Sequence, residues 1–365
     1  MAQQNRIDYL DGMRGLAILT VIAYHYFAQI HGVAISNFYN LHTPLYYGYL
    51  SVPLFFVISG YVIFMTLDKT PGLSGFLVRR WIRLFPAMLI ASLAIPVIAY
   101  WFTYRFGGMP HLIDVVPGLT FLGSNIVAAL TGKPTDGLEG GFWTVYVEVR
   151  FYVMFGLCYY VLGKKKAFYV MTALSFALFL LLQIAPLLGG NNVERMQNLF
   201  GKMLIGYHLP WFLLGMYVYL FNFQTQRILL LLIAGNALAF NLSSVGSAVA
   251  TLILMALIFG AFTTSAVQAF FRTRVLLFFG FISYPLYLFN DSIGRGIVLA
   301  LYENFSEISG VHIPFEVFPF IALGIVVPPV WCVAKYLEPA IQRWLKQRLL
   351  VSRAPKVATA SLEQG

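Results

Sequence analysis

The feature that most limits this chain is a succession of apolar stretches, each about as long as a hydrocarbon core is thick. At about 20 residues per crossing, ten can be marked, near 11–31, 45–67, 85–104, 142–163, 167–188, 203–222, 227–242, 246–265, 276–301 and 316–337. No water reaches the backbone at that depth, so each stretch must satisfy its own polar groups as a helix. The expected fold is an all-α polytopic membrane protein with about ten transmembrane helices. Composition agrees. The chain is 59% hydrophobic and 10% charged, against ~25% charged for a soluble domain, and its mean hydropathy is +0.77. Residues 1–348 read as one membrane domain and 349–365 as a polar, disordered tail. The segment 112–130 carries Asp114, Pro117 and several glycines and reads as re-entrant or interfacial. The first apolar run lacks a small-residue cleavage site, so it reads as a retained helix.

The net charge of +10 reports topology in such a chain, not nucleic-acid binding. With the N-terminus in the cytoplasm, sixteen Lys and Arg fall inside, from Arg6 through the Arg79–Arg83 loop and Lys164–Lys166 to Lys356. Only Arg105, Lys133, Arg195 and Lys202 fall outside. The bias predicts an even number of helices with both termini cytoplasmic. Cys158 and Cys332 lie in apolar stretches, and no disulfide framework or metal-ligand cluster is visible, so no metal is expected.

The stretch Leu10–Phe27 opens with charges, runs apolar, and then carries His25. His25 lies eleven residues after Arg14, which is ~1100° of helix, or three turns and ~20°. The two therefore share a face, ~16 Å apart along the axis. Arg14 belongs near one membrane surface and His25 near mid-bilayer. An ionisable side chain at that depth faces a bundle interior or a wet cavity. A cation at the mouth of a groove and an imidazole at its bottom suit a long anionic donor whose reactive end lies deep. The alternatives are an ordinary positive-inside anchor for Arg14 and a packing histidine for His25.

Other polar residues mark further spans. Ser59-Gly60 reads as a small-residue site of close helix packing. Arg80 and Arg83 are three apart and share a helix face. They form either a positive-inside turn or a clamp whose guanidinium forks match phosphate oxygens. Glu148 falls ~9 Å below the start of its span, with Arg150 on nearly the opposite face, so Glu148 needs a partner on another helix or a proton. His25 is one candidate. His208 lies just inside the sixth span. In the ninth, Asn290, Asp291 and Arg295 are polar in an apolar setting, and Asp291 and Arg295 are an i,i+4 pair that neutralise each other.

Several segments, in order, resemble the membrane acyltransferase-3 family, the integral-membrane O-acyltransferases that modify bacterial glycans and other acceptors. Asp11-Gly12-Met13-Arg14-Gly15 followed by His25 resembles its Arg-x10-His signature. Leu54 to Tyr61 (LFFVISGY) resembles its FFxxSG helix, and Phe76 to Pro86 (FLVRRWIRLFP) its arginine-rich loop. Phe142-Trp143-Thr144 to Glu148, with Phe151-Tyr152, resembles its W-[ST]-x-x-x-E segment. Ile282-Ser283-Tyr284-Pro285-Leu286-Tyr287-Leu288 resembles its ISYxLYL helix, and Glu338-Pro339 its usual ending. Two positions depart from the pattern: Asn290 where many members have His, and Pro53 where many have an acidic residue. The extracytoplasmic hydrolase-like domain that some members carry is not expected here, so handover of the acyl group is expected to use the membrane domain alone.

The resemblance implies an O-acetyltransferase of polysaccharide biosynthesis in the bacterial cytoplasmic (inner) membrane. Its donor would be cytoplasmic acyl-CoA, namely acetyl-CoA, and its acceptor a hydroxyl of a glycan or lipid-linked sugar. No permanently bound cofactor and no nucleic-acid partner are expected. Arg14, Arg80 and Arg83 would hold the CoA phosphates. His25 is suited to deprotonating the hydroxyl, with Glu148 orienting it or supporting the imidazolium. Asp11, Ser59, Trp143 and Tyr284 would support the site. The rival is a transporter or flippase of a lipid-linked glycan, which internal repeats would favour; none is evident. A non-enzymatic assembly partner of glycan synthesis is a third reading.

Overall fold

The computed structural model describes residues 7–30, 43–189, 191–308 and 311–350. Most of the tail expected to be disordered, from residue 351 onward, lies outside the described residues. Among the described residues the regular elements are helical apart from one two-stranded pair, Glu307–Ile308 with Val311–His312.

Helix α1 is Asp8–Ala23 and runs on as a π turn over Tyr24–Ala28. A 3-10 segment, Pro44–Ser51, leads into α2, Val52–Leu67. Then come α3, Leu73–Trp101; α4, Trp143–Leu162; and α5, Lys164–Leu188. The next three are α6, Leu209–Phe221; α7, Arg227–Ala239; and α8, Val245–Thr263. Helix α9, Arg274–Phe289, passes through a π turn, Asn290–Gly294, into α10, Arg295–Phe305. Helix α11, Phe318–Cys332, leads through a last π turn to the amphipathic α12, Glu338–Leu349.

Every expected span has its helix, and the count of ten is approximate. Among the described residues, seven helices are long and apolar enough to cross a membrane, or eight if a bent pair is one span. That pair covers Leu112–Thr120 and Ser124–Thr131 and turns through 119°, as a re-entrant segment does. The other expected spans are α1, which carries Asp8, Asp11 and Arg14, and the 13-residue helices α6 and α7.

Large apolar side chains such as Val161, Leu187, Ile228 and Leu231 face outward, as they do where lipid is the solvent. Inside, rings pack the helices together. Phe56 of α2 stacks on Phe212 of α6 at 4.7 Å, and Phe212 stacks on Phe151 of α4 at 4.0 Å. Asp68, just past α2, accepts hydrogen bonds from Tyr159 of α4 at 2.8 Å and Tyr219 of α6 at 3.0 Å, and pairs with Lys164 at the start of α5. These are ends that the charge bias puts on one side of the membrane, and the structure brings them together.

Close backbone approach sets the crossings that matter for the site. A Cβ on Gly15 of α1 would strike the Leu276 carbonyl, and one on Gly280 of α9 would strike the Asp11 carbonyl. Small residues are what let membrane helices meet this closely, and here they press α1 onto α9. Gly60 does the same for α2 against the Phe212 carbonyl of α6, as expected from Ser59-Gly60, although the Ser59 side chain has a separate role described below. Gly280→Ala should therefore destabilise the fold by ~1–3 kcal/mol, read as an earlier thermal unfolding transition in detergent. An unchanged transition would mean that the two helices do not meet this tightly.

Candidate functional site

Four cavities follow one another through the bundle, and each shares wall residues with the next. The first, about 560 Å³, lies between α1, α3 and α12 and is walled by Arg14, Arg79, Arg80, Arg83 and Lys346. It shares Asp11, Arg14 and Arg83 with a second cavity of about 250 Å³, which adds Ser59, Glu148, Tyr284 and Glu338. The second shares Val52, Phe56 and Tyr287 with a third of about 410 Å³, which holds His25, Gln29 and Asp291. The third shares Gly140, Trp143, Tyr207 and His208 with an outer cavity of about 590 Å³. Arg14 and His25, expected to share a face, wall different cavities of this line, and His25 lies in the π turn that follows α1. Helix α1 supplies a residue to each of the first three.

At the basic end, Arg14 Nη1 donates to Asp11 Oδ1 at 2.7 Å. The expected pairing of Arg80 with Arg83 holds only in part. Both wall the first cavity, but Arg80 turns toward α2. It is 5% exposed, donates to the Val62 carbonyl at 3.3 Å and to Thr66 Oγ1, and lies over the Phe76 and Tyr152 rings. Arg83 faces inward, and its guanidinium makes no hydrogen bond among the described residues. A guanidinium whose N–H groups make no hydrogen bond, with the Glu148 and Glu338 carboxylates only in the same cavity wall, is the better placed of the two to take a ligand's anion.

Glu148 is not the partner of His25. It accepts from Ser59 Oγ at 2.6 Å and from the Tyr152 hydroxyl, in the cavity of Arg14 and Arg83. The depths of Glu148 and His25 were compatible, but the rotation of α4 turns the carboxylate toward the basic end. Tyr284 donates to the Leu84 carbonyl at 3.0 Å and walls the same cavity.

The carboxylate beside His25 is Asp291. Both residues lie in π turns, Tyr24–Ala28 and Asn290–Gly294, which are rare and frequent at functional sites. His25 Nδ1 is 3.4 Å from Asp291 Oδ1 and 2.5 Å from Gln29 Oε1. Arg295 ties these partners to each other. Its Nη2 pairs with Asp291 Oδ1 at 2.6 Å, and its Nη1 donates to the Gln29 carbonyl at 3.4 Å. The expected Asp291–Arg295 pair is therefore present, with the imidazole added to it. Gln29 Oε1 accepts from Nδ1 and holds the proton there, with the Asp291 carboxylate close by but not hydrogen-bonded to the ring. That leaves Nε2, which makes no hydrogen bond among the described residues, as the basic nitrogen. Asn290 donates to the carbonyls of Leu286 and Tyr287 at 3.3 and 2.8 Å, which fixes the turn.

A second residue beyond the sequence reading is Glu139. It accepts from the Ser292 backbone N–H at 2.6 Å and from Ser292 Oγ, so it clamps the turn that carries Asp291. Burial, with the Asp291 charge adding to it, pushes the Glu139 carboxyl up. Gly140 next to it leaves the space that Asp291 Oδ2 occupies. In the sequence, the only signal for Glu139 is an acid next to Gly-Gly at the head of a span. Among the described residues no cluster of three or more His, Cys, Asp or Glu could hold a metal ion.

The family model described as an acyltransferase domain matches residues 7–336. The chain is similar to an O-acetyl transferase of Shigella phage Sf6, 24% identical over 181 residues, which are 48% of this chain and 53% of the relative. It is also similar to the peptidoglycan O-acetyltransferase OatA of Listeria monocytogenes, 31% identical over 103 residues, which are 26% of this chain and 14% of the relative. The alignments thus span about half of the first relative and a small part of the second. No solved structure matches. With the matched segment reaching from the start of α1 to the π turn after α11, the chain is an integral membrane protein of the acyltransferase-3 family.

Proposed function

We propose that the protein is a membrane O-acyltransferase that takes an acetyl group from cytoplasmic acetyl-CoA and passes it to a hydroxyl of a glycan or lipid-linked sugar, in a bacterial inner membrane. The observation that carries this reading is the line of cavities joining a basic mouth to a carboxylate-supported imidazole. Phosphates would pair with Arg14 and Arg83 at the mouth, with Arg79 and Lys346 beside them. The pantetheine arm would run past Phe56 and Tyr287 and bring the thioester to His25. The ~16 Å from Arg14 to His25 along α1 calls for a long, thin donor with its charge at one end. The names of the two relatives support an acetyl group and an oxygen acceptor.

The step balances with His25 alone as the proton carrier. The acceptor oxygen attacks the thioester carbonyl while Nε2 takes the hydroxyl proton. The new C–O bond forms, the C–S bond breaks, and the departing CoA thiolate takes the proton back from the imidazolium. Asp291 and Gln29 hold the ring, and Asp291 offsets the charge that the ring gains in between. Glu148, held by Ser59 and Tyr152, would keep the two arginines of the second cavity in place.

Donor binding separates the two loop arginines and tests the reading. Arg83→Gln should raise the KM for acetyl-CoA by about 10-fold or more, since a charge-assisted hydrogen bond is worth ~1.5–3 kcal/mol. Arg83→Lys should recover only part, because an ammonium cannot fork. Arg80→Gln should instead lower folded yield, because it loses its bonds to α2. Equal acetyl-CoA binding by folded wild type, Arg83→Gln and Arg14→Gln would remove the donor site from this end.

A further inference from the structure

Ser292 follows Asp291 in the π turn that places the carboxylate beside His25, and all three of its polar groups are held by one other stretch of chain. Its N–H donates to Glu139 Oε1 at 2.6 Å, and its hydroxyl donates to Glu139 Oε2. Its carbonyl accepts from the Phe106 N–H at 3.2 Å. Phe106 and Glu139 both belong to the connection between α3 and α4, residues 102–142. The same connection backs the two charged neighbours of the imidazole. Gly140 lies so close to Asp291 that a Cβ there would strike Oδ2. The Arg295 guanidinium, which pairs with Asp291, lies over the Phe106 ring at 4.4 Å.

The connection is braced across its own neck. Arg105 is buried and donates to the carbonyls of Gly108 and Leu138, so the residue before Phe106 is tied to the residue before Glu139. Asp114, also buried, accepts from Thr135 Oγ1 at 2.6 Å, from the Asp136 N–H at 3.2 Å and from the His111 N–H at 2.8 Å. A link that only joined two helices would need none of these groups, because burying a charge is costly unless it is bonded. Here the buried charges hold the two arms together where they meet the turn of Asp291.

We propose that residues 105–140 form a positioning cap for the reaction. Glu139 acts through Ser292, and Gly140 acts by leaving the carboxylate its space; together they set Asp291 against His25, while Phe106 backs Arg295. These are positioning residues, and they reach the imidazole only through Asp291 and Arg295. Displacing a reacting group by about 1 Å can cost ~10²-fold in rate even when the change is made elsewhere. The chemistry rests on the acyltransferase reading above; the clamp on Ser292 does not.

The test uses the full chain in lipid nanodiscs and two measurements. The first is transfer from labelled acetyl-CoA, per folded protein. Gly140→Ala should fold, because the atom it meets is the end of a side chain that can swing away. Its kcat should fall about 10-fold or more, with the KM for acetyl-CoA unchanged. Glu139→Ala should fall by a similar factor. Glu139→Gln should recover most of the rate, since its amide can accept from the Ser292 N–H and donate to the hydroxyl. The second is deuterium exchange at the Ser292 amide with no donor present. Exchange should quicken about 3- to 10-fold in Glu139→Ala, the loss of one hydrogen bond, and return toward wild type in Glu139→Gln. Wild-type kcat in folded Gly140→Ala and Glu139→Ala would overturn the proposal. So would a KM that rises as far as kcat falls, or Ser292 exchange equal in wild type and Glu139→Ala. Failure of the acyltransferase reading looks different: wild type transfers nothing from acetyl-CoA, and the exchange still decides whether the clamp exists.

Discussion

His25→Ala should lower acyl transfer by 10²- to 10⁴-fold, the usual contribution of a positioned base, while expression, membrane insertion and acetyl-CoA binding stay close to wild type. The donor residues Arg14 and Arg83 wall separate cavities from the one that holds His25, so binding and chemistry come apart in this variant. A packing histidine would behave in the opposite way: folded yield would fall, and the protein that folded would still turn over. His25→Gln sharpens the distinction. Glutamine can hydrogen-bond to Asp291 but cannot accept a proton near neutral pH, so it should fold well and remain inactive. The measurement is single-turnover transfer from labelled acetyl-CoA in membranes that contain the native acceptor, normalised to folded protein. Wild-type transfer by folded His25→Ala would remove the imidazole from the mechanism.

Where the apolar helices lie was legible because hydrophobic length marks them: each expected span has a helix, and among the described residues seven or eight are long and apolar enough to cross. That Arg14 and His25 wall successive cavities of one line was legible in outline because they follow each other on one continuous helical run, although His25 falls in the π turn after α1. What failed depended on how one helix is turned toward another. Glu148 and His25 had compatible depths, but depth carries no information about facing, and α4 directs Glu148 to Ser59 and Tyr152. Arg80 and Arg83 are ~300° apart around α3, so the ~60° that remains between them is enough to send one to α2 and the other to the cavity. Asp291 was read as the local partner of Arg295, and that pair exists. The local explanation was sufficient and hid the third member. The π turns at Tyr24–Ala28 and Asn290–Gly294 each shift the helical phase where the two residues meet. No propensity or spacing in the sequence announces such a turn.

Asp291→Asn should lower kcat by about 10²-fold, some 3 kcal/mol of barrier, with the KM for acetyl-CoA unchanged. The size follows from what the substitution removes and what remains. Gln29 Oε1 still accepts from Nδ1 at 2.5 Å, so the ring keeps its tautomer and Nε2 stays basic. The negative charge 3.4 Å from Nδ1 is lost; at an effective dielectric constant near 20 a full charge at such a distance interacts with the imidazolium by roughly 5 kcal/mol. Arg295 opposes part of that, because its Nη2 lies 2.6 Å from the same carboxylate oxygen. In the variant the opposition remains and the attraction does not. Asp291→Ala should be worse in a different way. Both substitutions leave the Arg295 guanidinium buried without its carboxylate, and breaking one side of a buried pair costs up to ~3–5 kcal/mol; Ala also removes the oxygen that Asn keeps as an acceptor, so folded yield should fall further along with rate. Asp291→Asn combined with Arg295→Met removes both charges and separates the two effects. Folded yield should recover toward wild type, while kcat stays low because nothing offsets the charge on the ring. If the double variant recovers rate as well as yield, Asp291 serves only to neutralise Arg295, and the imidazole works without a carboxylate.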